Sequence, residues 1–170
     1  MTNRSGWKAL KIGMRTIKTV LSVGITLTLF ELLNRQPAVL AAISSVYSLQ
    51  TDHQKSLSYG KFRIFGNTIG VIIAILVAKI GILFHLDNSV YRVIASMIGI
   101  LIIIILCNAF NSSTSIMNSS ATFFVVLLNT PSSHLIEYGA NRVLDTIIGA
   151  TIAIIVNRVL QFSDDEPDTA

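Results

Sequence analysis

Two arginines, Arg63 and Arg142, stand at the heads of long apolar runs. A guanidinium stays charged in any surroundings and grips a carboxylate through two parallel hydrogen bonds, so each is a candidate anion clamp. At a helix N-terminus the local dipole would add to that attraction. Set as a pair at opposite mouths of one path, they would bind an anion on its way through a membrane. The competing reading is that each side chain snorkels to lipid headgroups at a span end. Asp145 lies three residues after Arg142, inside an apolar segment. Carboxylates in such places are costly and serve proton relays. At that spacing it shares a helix face with Arg142, so an ion pair between the two is the alternative. Glu31 is a second acidic candidate, at the interfacial end of an earlier segment.

Polar side chains also punctuate two short apolar segments. Ser44, Ser45 and Tyr47 fall in one, and Asn118, Ser119, Ser120 and Thr122 in the other. They would line a polar path or hydrogen-bond between helices. His85 with Asp87 and His134 with Glu137 are pairs of metal-ligand types in loops that would bind a metal outside, against the commoner reading that loop histidines do nothing, and no metal or cofactor is expected. No nucleophile is spaced from a base and no phosphate-binding loop is present, so an enzyme is not expected. Cys107 is the single cysteine and forms no intramolecular disulfide.

The elements that position these groups follow from composition. The chain has 170 residues, 52% hydrophobic and 13% charged, with a mean hydropathy of +0.66. Charge in soluble domains is near a quarter. Long uncharged windows predict membrane helices. Six candidate spans are read: 17–33, a short one from Pro37 to Gln50, 66–84, 90–110, a short one at 116–129, and about 140–160. Residues 51–63 read as a polar loop. Arg4 to Lys18 reads as an amphipathic helix on the membrane surface or as a basic flank, without the pattern of a cleavable signal. The segment 163–170 is acidic and reads as a tail after a membrane domain at 1–162. Basic residues before the first span and at Lys55, Lys61 and Arg63 predict that both termini are cytoplasmic. Arg92 and Arg142 fall on the opposite side, against that rule.

The sequence also repeats. "YGKFRIFGNTIG" (Tyr59 to Gly70) aligns without a gap to "YGANRVLDTIIG" (Tyr138 to Gly149), and the alignment continues to Lys79 and Arg158. The same offset of 79 residues carries the first three spans onto the last three. The expected fold is therefore an all-α membrane protein of six transmembrane helices, built as two three-helix repeats at about 17–84 and 90–160. An odd number of spans reverses on duplication, giving an inverted repeat of the kind found in secondary transporters. Gly66, Gly70 and Gly149 are helix-packing candidates, because small residues let backbones approach. A duplicated scaffold without a substrate path is the other reading.

Gln50 and Thr51 after the second segment, then Arg63, Gly66 and Gly70, then Asn141, Arg142, Asp145, Thr146 and Gly149, and finally Val156 and Asn157, form a pattern that resembles the membrane domain of the aromatic acid exporter family, related to the fusaric acid resistance proteins. The resemblance covers nearly the whole chain. It implies export of small aromatic carboxylic acids across the bacterial inner membrane, driven by the proton gradient. Taken with the residues above, it makes Arg63, Arg142, Asp145, Thr146, Gln50, Thr51, Ser45 and Tyr47 the substrate-binding candidates. Expected partners are the lipid bilayer, the aromatic acid and a second copy in a homodimer. Many relatives carry a large cytoplasmic domain after the last span. The alternative function is therefore a non-transporting membrane scaffold that assembles with a separate cytoplasmic partner.

Overall fold

The computed structural model of the protein describes residues 13–35, 37–85 and 89–161. Six α-helices make up these residues, joined by short turns: α1 (Met14–Leu32), α2 (Val39–Ser48), α3 (His53–Leu83), α4 (Ser89–Ala109), α5 (Ile116–Asn129) and α6 (Leu135–Gln161). Single 3-10 turns, Ser113–Ser115 and Ser132–His134, lead into α5 and α6. Most of the amphipathic segment at 4–18, Asp87 and the acidic tail lie outside the described residues.

The turns are built by residues that tolerate left-handed backbone. Asn34 after α1 and Asn111 after α4 have φ of 50° and 51°. Asparagine is the commonest non-glycine residue in that conformation. At each, a following amide closes back on the helix: Arg35 N donates to Phe30 O at 3.0 Å and Ser112 N to Cys107 O at 2.8 Å. The first helix of each half thus ends by the same device.

Two expectations are corrected. Of the expected loop at 51–63, residues 53–63 are the first turns of α3, which runs for 31 residues. Its polar residues lowered the hydropathy, yet Ser56 and Gly60 are buried against neighbouring helices. In addition, six helices are not six spans by length. Among the described residues, only α3, α4 and the 135–160 stretch of α6 are long and apolar enough to cross a bilayer. The 10 residues of α2 and 14 of α5 extend about 15 and 21 Å at 1.5 Å per residue, against a hydrocarbon core of about 30 Å. Charged residues at its ends, Arg15, Lys18 and Glu31, keep α1 from reading as an apolar span of that length.

The helices pack in a crossed pattern. α3 lies mainly on α5 and α6, α2 on α6, α1 on α6 and α2, and α4 on α3 and α5. The central pair, α3 and α6, is antiparallel. Gly60 faces Ala150 and Ile154, and Gly139 faces Val71 and Ile75, while Asn67 between them hydrogen-bonds Thr146. Each of these contacts exchanges into another when the two sequence copies are swapped, and Asn67 and Thr146 are copies of each other. The largest core cluster gathers Phe123, Ile103, Cys107, Val126 and Ala74. The most apolar helix, α4, is the least buried of the three long ones. It turns Val93, Met97, Leu101 and Ile105 outward, the inverse of a soluble helix, and the chain is a multi-pass membrane protein.

Close approach of backbones holds the bundle. A Cβ placed on Gly149 would overlap the main-chain carbonyl of Ala41 on α2, and one on Gly70 would overlap that of Ser119 on α5. Without a hydrophobic driving force between helices in lipid, such contacts supply much of the association. Gly149→Ala is expected to lower stability in mixed micelles by about 1–3 kcal/mol through overpacking. Gly24→Ala, at a position with nothing within 4 Å, should be neutral or stabilising. Comparable unfolding midpoints for the two variants would contradict this account.

Candidate functional site

The polar groups lie at the α3–α6 crossing and in the turn that precedes α2. Arg142 is buried, with 8% exposure. Its Nε donates to Thr122 Oγ1 on α5 at 3.3 Å. Thr122 donates to Asn67 Oδ1, Asn67 donates through Nδ2 to Thr146 Oγ1, and Thr146 donates to the carbonyl of Arg142 at 2.8 Å. The chain of hydrogen bonds closes on the residue where it began. It satisfies groups that would otherwise be costly to bury.

Asp145 does not pair with Arg142. Its Oδ1 accepts from Arg35 Nε at 2.6 Å, and Arg35 Nη2 donates to Asn141 Oδ1 at 3.0 Å. The turn at Asn34 sets this arrangement, because it brings Arg35 over the start of α6 as the chain reverses into α2. Among the described residues Arg142 and Arg63 have no carboxylate within ion-pair distance. A cavity of about 270 Å³ opens here, lined by Asn34, Arg35, Tyr138, Asn141, Arg142 and Asp145.

Arg63 sits on the other side of the crossing. Its guanidinium lies 5.1 Å from the ring centre of Tyr47, a cation–π distance, and its Nε donates to Ser44 Oγ at 3.4 Å. It is within electrostatic reach of Arg142. Neither arginine is at a helix N-terminus: Arg63 is ten residues into α3 and Arg142 seven into α6. Each is about one turn, roughly 5.4 Å, from the Asn67–Thr146 contact.

The two ends of the crossing differ. On the Arg142 side the cavity is open. On the Arg63 side α5 closes onto α3, where Ser115 Oγ donates to Phe62 O at 2.9 Å and Asn118 Nδ2 to Arg63 O at 2.9 Å. Gly66 occupies the repeat position of Asp145 and is pressed against Ser115, Asn118 and Ser119.

The other candidates fall elsewhere. Gln50 belongs to a separate knot, in which Asn157 Nδ2 donates to Gln50 O at 3.2 Å and to Ser56 Oγ at 2.8 Å. Asn157 is eleven residues from Thr146, about 16 Å along the helix, so this knot ties the α2–α3 turn to the end of α6. Thr51 is exposed in that turn and does not line the cavity. Ser45 shares a 2.6 Å hydrogen bond with Ser22 of α1. Ser119 bonds Ser115 O at 2.9 Å, and Ser120 is half-buried. His134 Nδ1 lies 3.3 Å from Glu137 Oε2 on an exposed surface. Glu31, Lys79 and Arg158 are exposed.

Sequence reasoning missed Arg35, Asn34, Tyr138 and Asn67 as members of the site. Signals existed for three of them: Arg35 is the lone base in its turn, Tyr138 opens the second copy, and Asn67 is the repeat partner of Thr146.

The fold is that of a helical multi-pass membrane protein with a buried guanidinium lining a cavity. The family described as aromatic acid exporter family member 1 matches residues 10–160, and the chain belongs to that family of membrane transport proteins. Comparison with curated proteins and with solved structures gave no match.

A double-mutant cycle tests the pairing. Arg35→Ala and Asp145→Ala are expected to couple by about 1 kcal/mol, the lower part of the range for contacting residues, because Arg35 is 32% exposed and screened. The cycle between Arg142 and Asp145, measured by the same unfolding assay, should give a smaller coupling.

Proposed function

We propose that this protein is an exporter of small aromatic carboxylic acids in the bacterial inner membrane, with both termini cytoplasmic and its helices forming two inverted three-helix repeats. The carrying observation is Arg142: buried, lining a cavity, and without a carboxylate partner because Asp145 is held by Arg35. A buried guanidinium left uncompensated is costly and favours an anion from outside the chain. The cavity of about 270 Å³ is at the small end of ligand sites, which run from about 300 to 1,000 Å³, and suits a one-ring acid. The antiparallel α3 and α6, with contacts that interchange between the two copies, support the inverted repeat. The crossed packing supports it too, since each half's third helix lies on the other half's second.

In this reading an acid from the cytoplasm first meets Arg63 beside Tyr47. It passes the constriction of Asn67, Thr122 and Thr146 and reaches Arg142 in the outward cavity. There its carboxylate competes with Asp145 for Arg35. When Asp145 recovers Arg35, the substrate loses one of its two cations and leaves. Asp145 acts as an internal stand-in for the substrate.

The inside-negative part of the proton gradient drives the step. Moving one negative charge outward gains about 2.3 kcal/mol per 100 mV, or roughly fiftyfold in concentration ratio. No carried proton is then required. Export from energised vesicles of stated orientation is expected to stop when valinomycin and potassium collapse the membrane potential, and to continue when nigericin collapses the pH gradient. The reverse pattern would replace electrical drive with proton exchange.

The arginines are tested by conservative replacement. Lysine keeps the charge but offers a point donor in place of a planar fork. Arg63→Lys and Arg142→Lys should each cost about 1.5–3 kcal/mol of substrate binding, tenfold or more in apparent affinity, with normal insertion and expression. Arg63→Lys should weaken loading from the cytoplasm, and Arg142→Lys should alter release. Unchanged export kinetics in both variants would reduce the arginines to structural anchors.

A further inference from the structure

Arg92 has no part in the cavity or the crossing, and it stands on the side where the distribution of basic residues predicts few. It lies in the first turn of α4, exposed, at one end of a surface groove of about 620 Å³ between α4 and α5. Below it the groove is apolar, walled by Val93, Met97, Ile100, Ile104 and Phe124. From Arg92 to Ile104 is twelve residues, about 18 Å along the helix. One leaflet of hydrocarbon is about 15 Å, half of the 30 Å core. The groove therefore has the length of one leaflet, with a cation at the end that reaches the headgroups.

A second groove serves as an internal comparison. It lies on α1, lined by Val20, Gly24, Ile25, Thr28 and Leu32, and has about 600 Å³. Among the described residues no charged side chain lines it. The two are matched in size and apolar character and differ in charge.

We propose that the α4–α5 groove binds one anionic diacyl phospholipid, with its phosphate on Arg92 and an acyl chain along Met97, Ile100 and Ile104. The α1 groove takes lipid without regard to headgroup charge. The phosphate satisfies a guanidinium through charge-assisted hydrogen bonds, and the chain fills the apolar groove between α4 and α5. This assignment rests on the membrane fold and not on the transport reading, so the two can fail separately.

The test is native mass spectrometry of the full chain in detergent, titrated with phosphatidylglycerol and, separately, phosphatidylcholine. The wild type is expected to hold one phosphatidylglycerol about fivefold more tightly than phosphatidylcholine, the contribution of one basic residue near a membrane surface. Arg92→Gln should abolish that preference while leaving residual binding of both lipids. Arg92→Lys should keep it, because a phosphate accepts a point charge. Ile100→Trp, which fills the groove, should remove the tight site for either lipid, whereas Gly24→Leu on α1 should leave the preference intact. Equal affinity for the two lipids in the wild type, or an unchanged preference in Arg92→Gln, would overturn the proposal. So would conversion of a dimer to a lipid-bound monomer by Ile100→Trp, which would assign the groove to contact between copies of the chain.

Discussion

The polar centre of this protein depends on the burial of one amide. Asn67 is 3% exposed and bonds α5 through Thr122 and α6 through Thr146. In a medium that supplies no water, an unsatisfied amide costs several kcal/mol, so the three helices are tied to a register that keeps both of its ends occupied. That register determines the rest. It sets Gly149 against Ala41 and Gly70 against Ser119, and it fixes Arg63 and Arg142 one turn to either side. Sliding α6 by one residue would turn Thr146 away from Asn67 and drive a side chain into the contact made by Gly149.

Around this centre the charges are arranged with two cations in excess. Arg35 and Asp145 form a pair, while Arg63 and Arg142 are held by hydroxyls and an aromatic ring. Hydroxyl donors and acceptors orient a guanidinium without cancelling its charge. A carboxylate in the same place would neutralise it and leave nothing for a ligand. The position of Asp145 is therefore as informative as its identity. Three residues from Arg142 on one helix, it is nonetheless engaged by a residue 110 positions earlier.

Much of the helical layout was legible in the sequence. The 79-residue offset identified the two halves, and Thr146, Gly70 and Gly149 lie at the contacts that join them. Hydropathy located α4 and the apolar portions of α3 and α6. It failed at residues 53–63, because a helix that buries serine and glycine against other helices carries little apolar signal. The site was legible only in part. Arg63, Arg142 and Asp145 were singled out by residue type and spacing, and Thr146 by the family resemblance. Arg35 was not, since it belongs to a tight turn and reaches the site only through tertiary folding. The partner of Asp145 was not legible for the same reason: spacing along a helix reports neighbours on one face and is blind to a residue delivered from another element. Gln50 lies in a knot about 16 Å away, a separation that the linear pattern of motif residues does not express.

The closure of α5 onto Phe62 and Arg63 has a consequence for how the two halves can change places. Both hydrogen bonds there go to main-chain carbonyls of α3, so they depend on where the backbone runs and little on the side chains of Phe62 and Arg63. At the Arg142 end the corresponding junction is an ion pair between side chains, sensitive to charge and to any anion that competes for it. One end is thus a latch of neutral dipoles and the other an ionic clasp between side chains. A molecule assembled from two related halves has in this way acquired a polarity: the two faces share a scaffold but answer to different chemical signals.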